Sequence, residues 1–348
     1  MHALAGLADD APTPALRQTC IDVLCAYLRL PYTAEGELTD GDANARHTYQ
    51  ALREARHTVI RLIRDHLRLL PDHPHSWRGL RFDFTSVTFD GGDFSGAAFS
   101  GGKVIFRGAA FSGGTVIFRN AKFSSTRVDF RSSTFSDGTV DFSGAAFSDS
   151  EVDFRDATFS GARVDFSARF FDASVSFRGA TLSDGTVTFN CATFLGSTVD
   201  FCGSFSGGTV LLGAAFSGET VSFRGATFSG ATVDFGSATF SDGTVSFRSA
   251  TFSGGTVSFR SATFSGARVL FRDATFSAGM VEYSGTKFSD GTADFRGATF
   301  SGAEVSFRGA TFSGATVDLS TARGRPPADV MPAAEEPLPD GLILPSAW

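Results

Sequence analysis

The chain has 348 residues, 30 Lys and Arg against 37 Asp and Glu, and a formal net charge of −7. That balance lacks the basic surplus of a nucleic-acid-binding protein, and no apolar run reaches the ~18 residues of a membrane span. Cys20, Cys25, Cys191 and Cys202 form neither a CxxC pair nor a zinc-type cluster with histidine, so they read as reduced thiols of a cytoplasmic protein.

From the N-terminus, Pro14 to Leu30 places Leu16, Ile21, Leu24 and Leu28 at roughly helical spacing, and Pro31 stops the run. Residues 34–43, polar and rich in Gly, Asp and Glu, read as a loop. Ala45 to Leu70 carries Tyr49, Leu52, Val59, Ile60, Ile63, Leu67 and Leu70 on one face, with Arg and His largely on the other. That pattern predicts a second, longer amphipathic helix. His2, His47, His57, His66, His73 and His75 all precede the repeats, and His57 and His66 are assigned to the solvated face of this helix. Residues 1–76 are expected to form a helical cap that packs on the first turn of the repeats and closes their strand edges.

The repeats dominate the rest. Most of the 39 phenylalanines fall in two columns with a period of twelve. One column runs through Phe99, Phe111, Phe123 and Phe135, then Phe159, Phe171, Leu182 and Phe194, and on to Phe312. The other, seven residues later in each repeat, includes Phe106, Phe118, Phe130, Phe154, Phe259 and Phe307. A short fixed period marks a solenoid. Within Val164-Asp165-Phe166 the Val and Phe point one way and the Asp the other, and the small Ala162 points inward too. A short face of five residues thus alternates with a long face of seven. Phe171–Leu182, Phe194–Phe205 and Phe205–Phe216 are intervals of eleven, which read as corner deletions or as a notch over residues 166–216.

Phe84, Phe89, Phe94 and Phe99 are spaced by five, and words such as Ala157-Thr158-Phe159-Ser160-Gly161 and Ala250-Thr251-Phe252-Ser253-Gly254 recur. This resembles the pentapeptide-repeat family over residues 80–320. Arg17-Gln18-Thr19 and Val23 to Tyr32 are similar to the leader of its actinobacterial members. The resemblance implies an all-β, right-handed quadrilateral β-helix. The seven-residue half of each repeat departs from the family unit.

The number of repeats per turn follows from the residue after each second-column position. In alternate repeats it is Arg107, Arg131, Arg155, Arg178, Cys202, Arg224, Arg248, Arg272, Arg296 and Ser320; in the others Arg is infrequent. A period of 24 therefore overlies the period of twelve, favouring two repeats per turn. The arginines would repel unless neutralised or bound to anions. Pairing with Asp153, Asp156 or Asp294 is one reading. The other makes Arg107, Arg131, Arg155, Arg178, Arg224, Arg248, Arg272 and Arg296 a docking stripe for an acidic partner.

No residue constellation carries catalysis, and no cofactor or metal is expected. The repeated Asp129, Asp141, Asp153 and Asp165 lie within strands, unlike calcium β-roll loops. Thr158, Thr227 and Thr251 form a single outward column on a face, too few for an ice-binding array. The expected function is a non-enzymatic scaffold for another protein, with no nucleic acid bound directly. The alternative is a DNA-mimicking modulator of a type II topoisomerase, an activity that the resemblance suggests. A homodimer is compatible with the family pattern. Residues 323–348, rich in proline, are expected to form a disordered tail.

Overall fold

The computed structural model describes residues 1–33, 38, 43–218, 220–330, 338 and 340–348. The loop expected over 34–43 lies outside them except at Leu38 and Ala43. The chain forms two compact units, Met1–Ser174 and Val175–Trp348, so the division falls inside the repeats.

The first unit begins with three helices: α1 (His2–Asp9), α2 (Pro14–Leu28) and α3 (Ala43–Arg68). Sequence periodicity missed α1, which is short and buries only Ala5 and Ala8. Helix α2 starts where Thr13 Oγ1 accepts the Leu16 amide and Pro14 occupies the first helical position. It buries Cys20, Ile21, Leu24, Cys25 and Leu28, whereas Leu16, expected on the apolar face, is exposed. Helix α3 buries Tyr49, Val59, Ile60, Ile63 and Leu67 but leaves Leu52 and Leu70 outside. The helices cover the first turn. A Cβ added at Gly92, whose φ is +144°, would lie 2.8 Å from Ile60 Cδ1. Arg56 is 5% exposed and ties three segments together. It donates to the carbonyls of Leu28 at 2.7 Å and Thr88 at 2.6 Å, and lies 4.3 Å from the centre of the Tyr32 ring.

The remainder of this unit is a solenoid of three parallel sheets. One sheet contains Lys103–Ile105, Arg127–Asp129 and Glu151–Asp153. The second contains the eight-residue strands Ala110–Ile117, Thr134–Asp141 and Thr158–Asp165, and the third Ala98–Ser100, Lys122–Ser124, Ala146–Ser148 and Arg169–Phe171. Phe111 pairs with Phe135, and Val128 with Val152. Each partner is 24 residues on, so two repeats make one turn. Column residues point inward and stack: the Phe111, Phe135 and Phe159 ring centres are 4.7 and 4.6 Å apart.

The two repeats of a turn differ in a way the period does not reveal. In one, the seven-residue step is a single strand with a bulge, and in the other it is two short strands separated by a corner. Phe135-Ser136-Asp137-Gly138-Thr139-Val140 lies within a strand, with Gly138 at φ +71°. In the second unit the same word, Phe240-Ser241-Asp242-Gly243-Thr244-Val245, turns a corner with Asp242 at +60°. Position in the turn decides, because each strand must copy the path of the strand beneath it.

The second unit repeats this plan with strands such as Thr220–Ser222, Thr227–Asp234 and Thr239–Ser241 in the three sheets. The shortened intervals resolve into corner deletions. Normal corners close with an amide three residues on, as in Ala157 to Phe154 O. Ala168, Gly203 and Ala214 instead bond the carbonyl two residues back, at Phe166, Phe201 and Leu212, a tighter γ-type turn. One residue is therefore lost at each corner while the columns stay in register. The first loss precedes the expected one. Phe170, 1% exposed and stacked 4.9 Å from Phe147, takes the column position assigned to Phe171.

The C-terminal expectation is corrected for the described residues. Arg323–Gly324 pairs with Thr299 and Phe300, and Leu342–Ile343 pairs with Val317 and Asp318. Val330 and Leu342 are buried, and Trp348 Nε1 donates to Gly324 O at 3.0 Å. These contacts cover strand edges that would otherwise be open.

Candidate functional site

Most strands of the first sheet are followed by an inward Phe, such as Phe106, Phe130 and Phe154, and the next residue begins the corner. A side chain there points outward beside the residue two before it, which lies on the outer face of the strand. Where that residue is Asp, the charges neutralise. Arg131 and Arg155 fold back onto Asp129 and Asp153, each at 2.6 Å. Arg107 reaches Asp129 at 2.9 Å, and Arg131 reaches Asp153 at 3.5 Å. In the second unit Asp294 accepts from Arg272 at 2.6 Å and from Arg296 at 2.7 Å. Arg296 also approaches Asp318 at 3.3 Å. Asp156, considered as a partner from sequence, forms no ion pair among the described residues.

These carboxylates are nearly buried, and their titration follows from that. Burial pushes the Asp294 carboxyl up, but hydrogen bonds from Arg296 and Arg272 outweigh it and hold the group well below the usual range. At Asp129 burial prevails, supported by the nearby Asp153 charge and opposed by Arg107, so its pKa is raised.

Where the residue two before is Ser, the arginine has no such partner. This holds in Val175-Ser176-Phe177-Arg178, Val221-Ser222-Phe223-Arg224 and Val245-Ser246-Phe247-Arg248, and at Arg260 and Arg308 beside the second sheet. Among the described residues Arg248 reaches a carboxylate only at 4.0 Å, that of the 56% exposed Asp273. Arg178, Arg224, Arg260 and Arg308 form no ion pair with a described residue. The eight arginines singled out from the sequence are thus not equivalent: Arg107, Arg131, Arg155, Arg272 and Arg296 are neutralised, and Arg178, Arg224 and Arg248 are not. The signal was partly present in the sequence: an Asp two residues earlier marks Arg131, Arg155 and Arg296, and a Ser there marks Arg178, Arg224 and Arg248, whereas Arg107 and Arg272 follow Ile105 and Leu270 and are neutralised by the Asp of the next turn.

A polar cluster that the sequence reading missed joins the helices to the first turn. Asp90 is 5% exposed. It accepts from Tyr32 Oη at 2.5 Å and Tyr49 Oη at 2.8 Å, and Arg53 Nε and His57 Nε2 face it at 3.5 and 3.7 Å. Burial pushes this carboxyl up, but the facing His57, Tyr32 and Tyr49 groups outweigh it and bring the pKa to about 2. His66 stacks on Trp77 at 3.9 Å and meets Asp9 at 3.1 Å. Neither histidine belongs to a solvated face, because α3 turns both toward acidic partners. Burial also pushes the Cys25 thiol up to about 12.

A groove of about 620 Å³ beside the C-terminal segment is lined by Arg260, Glu282, Ser284, Glu304, Arg308 and Asp329, among others. Its charges are mixed. Among the described residues no three His, Cys, Asp or Glu side chains are grouped to hold a metal ion, and no helix is long and apolar enough to cross a membrane. No protein-family model matches the chain, and no curated protein matches it.

Proposed function

We propose that this chain is a non-enzymatic, cytoplasmic interaction scaffold of the pentapeptide-repeat type, presenting outward columns to another protein. Phe, Val and Ala side chains fill the interior, leaving hydroxyl, carboxylate and guanidinium groups for recognition. The observation that carries the reading is the set of exposed, unneutralised arginines in Val175–Trp348. The full chain should retain one stoichiometric partner when purified from its native host. Reversal of Arg224 and Arg248 to Glu should release it with the circular dichroism spectrum unchanged. If no stoichiometric partner is recovered, the scaffold reading fails. DNA mimicry is not favoured, because Asp129, Asp153 and Asp294 are each tied to arginines and offer no free acidic face. A gyrase supercoiling assay should accordingly show no effect at micromolar protein.

A further inference from the structure

We infer that Arg224 and Arg248 form the contact for a carboxylate-rich segment of the partner protein. This rests on the scaffold reading and narrows it to one patch. The two arginines occupy equivalent positions one turn apart: Val221 pairs with Val245 and Ser222 with Ser246, and adjacent parallel strands lie about 4.8 Å apart. Both side chains are exposed. Ser222 and Ser246 stand where Asp129, Asp153 and Asp294 stand in neutralised turns. The serine hydroxyls lie only 3.4 and 3.5 Å from the Arg224 and Arg248 amides and bring no charge.

The same backbone therefore holds arginine with an internal counterion in some turns and without one in others. Among the described residues Arg224 has no counterion and Arg248 only the exposed Asp273 at 4.0 Å, and such stacked guanidiniums match carboxylates supplied from outside, since each can accept two parallel hydrogen bonds from a planar fork. Nucleic acid is the weaker fit. The whole chain carries −7, which repels an extended polyanion, while a short acidic segment engages the local patch alone.

The chain's own pattern supplies the test. Ser222→Asp with Ser246→Asp recreates the neutralised turn without removing an arginine. Ser241→Asp with Ser265→Asp adds the same charge on the third sheet. Binding of a fluorescein-labelled decaglutamate peptide to the full chain would be read by anisotropy at low ionic strength, with a short DNA duplex in a parallel arm. The expected result is at least a tenfold rise in Kd for S222D/S246D, less than threefold for S241D/S265D, and unchanged circular dichroism for both. Equal effects of the two variants, absence of peptide binding by the wild type, or tighter binding of the duplex would each overturn the inference. The host partner separates this from the broader reading. A partner retained by S222D/S246D removes the patch and leaves the scaffold standing, whereas a wild-type chain that retains no partner removes the scaffold.

Discussion

In Met1–Ser174 the arginines that follow column phenylalanines, Arg107, Arg119, Arg131 and Arg155, all end on aspartates. Among the described residues of Val175–Trp348 only Arg272 and Arg296 do so closely, and Arg178, Arg224, Arg260 and Arg308 meet no carboxylate there. The interiors of the two units are alike: Phe228, Phe252 and Phe276 stack at 4.9 and 4.7 Å, much as Phe111, Phe135 and Phe159 do. A solenoid can therefore keep one core and change its surface through a single outward position per turn. Stability and recognition reside in different columns.

The comparison can be broken most directly in the core. Phe135→Ala and Phe252→Ala, one in each unit, should each cost about 3–5 kcal/mol in denaturant melts. A loss below about 1 kcal/mol at either site would mean that the interiors are not alike. A smaller effect tests bulge against corner. Gly138 has φ +71°, and a Cβ there would lie 2.3 Å from Gly114 O, so Gly138→Ala should cost about 2–3 kcal/mol. Gly255→Ala should cost as much, because Gly255 has the same φ of +71° and a Cβ there would lie 2.2 Å from Ala231 O.

The helical end should show an acid-side pH signature centred on Asp90, as the depressed Asp294 carboxyl gives one to Val175–Trp348. Asp90 has a folded pKa of about 2, depressed below its ordinary value. Its contribution is therefore fully present above about pH 4 and is lost as pH falls through about 2, with a size of about 2 kcal/mol. Asp90→Asn should flatten that part of the stability profile; an unaltered acid limb would show that Asp90 does not dock the helices. The smallest expected change is a gain. Tyr283 is fully buried in a phenylalanine column, and its hydroxyl has no hydrogen-bond partner among the described residues. Tyr283→Phe should raise stability by about 1 kcal/mol, and a loss on thermal melting would contradict this.

Much of the architecture was legible because the repeat averages over many turns. The inward columns and the two longer helices follow from spacing, and the 24-residue turn from the arginine that recurs in alternate repeats. Other features were not legible, for physical reasons that differ. Phe170 and Phe171 are both apolar, and only the γ-type corner after Phe166 decides which one enters the stack. Phe135-Ser-Asp-Gly and Phe240-Ser-Asp-Gly are identical words whose conformations are imposed by neighbouring turns. The Asp90 cluster draws Tyr32, Tyr49, Arg53 and His57 from distant positions, and no local pattern announces such a meeting. The arginine surface was half visible: its period was read correctly, but neutralisation depended on an Asp either two places earlier or in the next turn, as for Arg107 with Asp129 and Arg272 with Asp294.

The alternation of bulge and corner also constrains how such a chain can change length. Inserting a single twelve-residue repeat would move every later word within its unit into the opposite role. Bulge glycines would arrive at corners, corner aspartates would enter strands, and arginines would transfer from the edge of the first sheet to that of the second. Duplication or loss of 24 residues would leave every role unchanged. Growth of the solenoid is thus quantised in whole turns, and an arginine patch can be lengthened in those steps without a new fold having to arise.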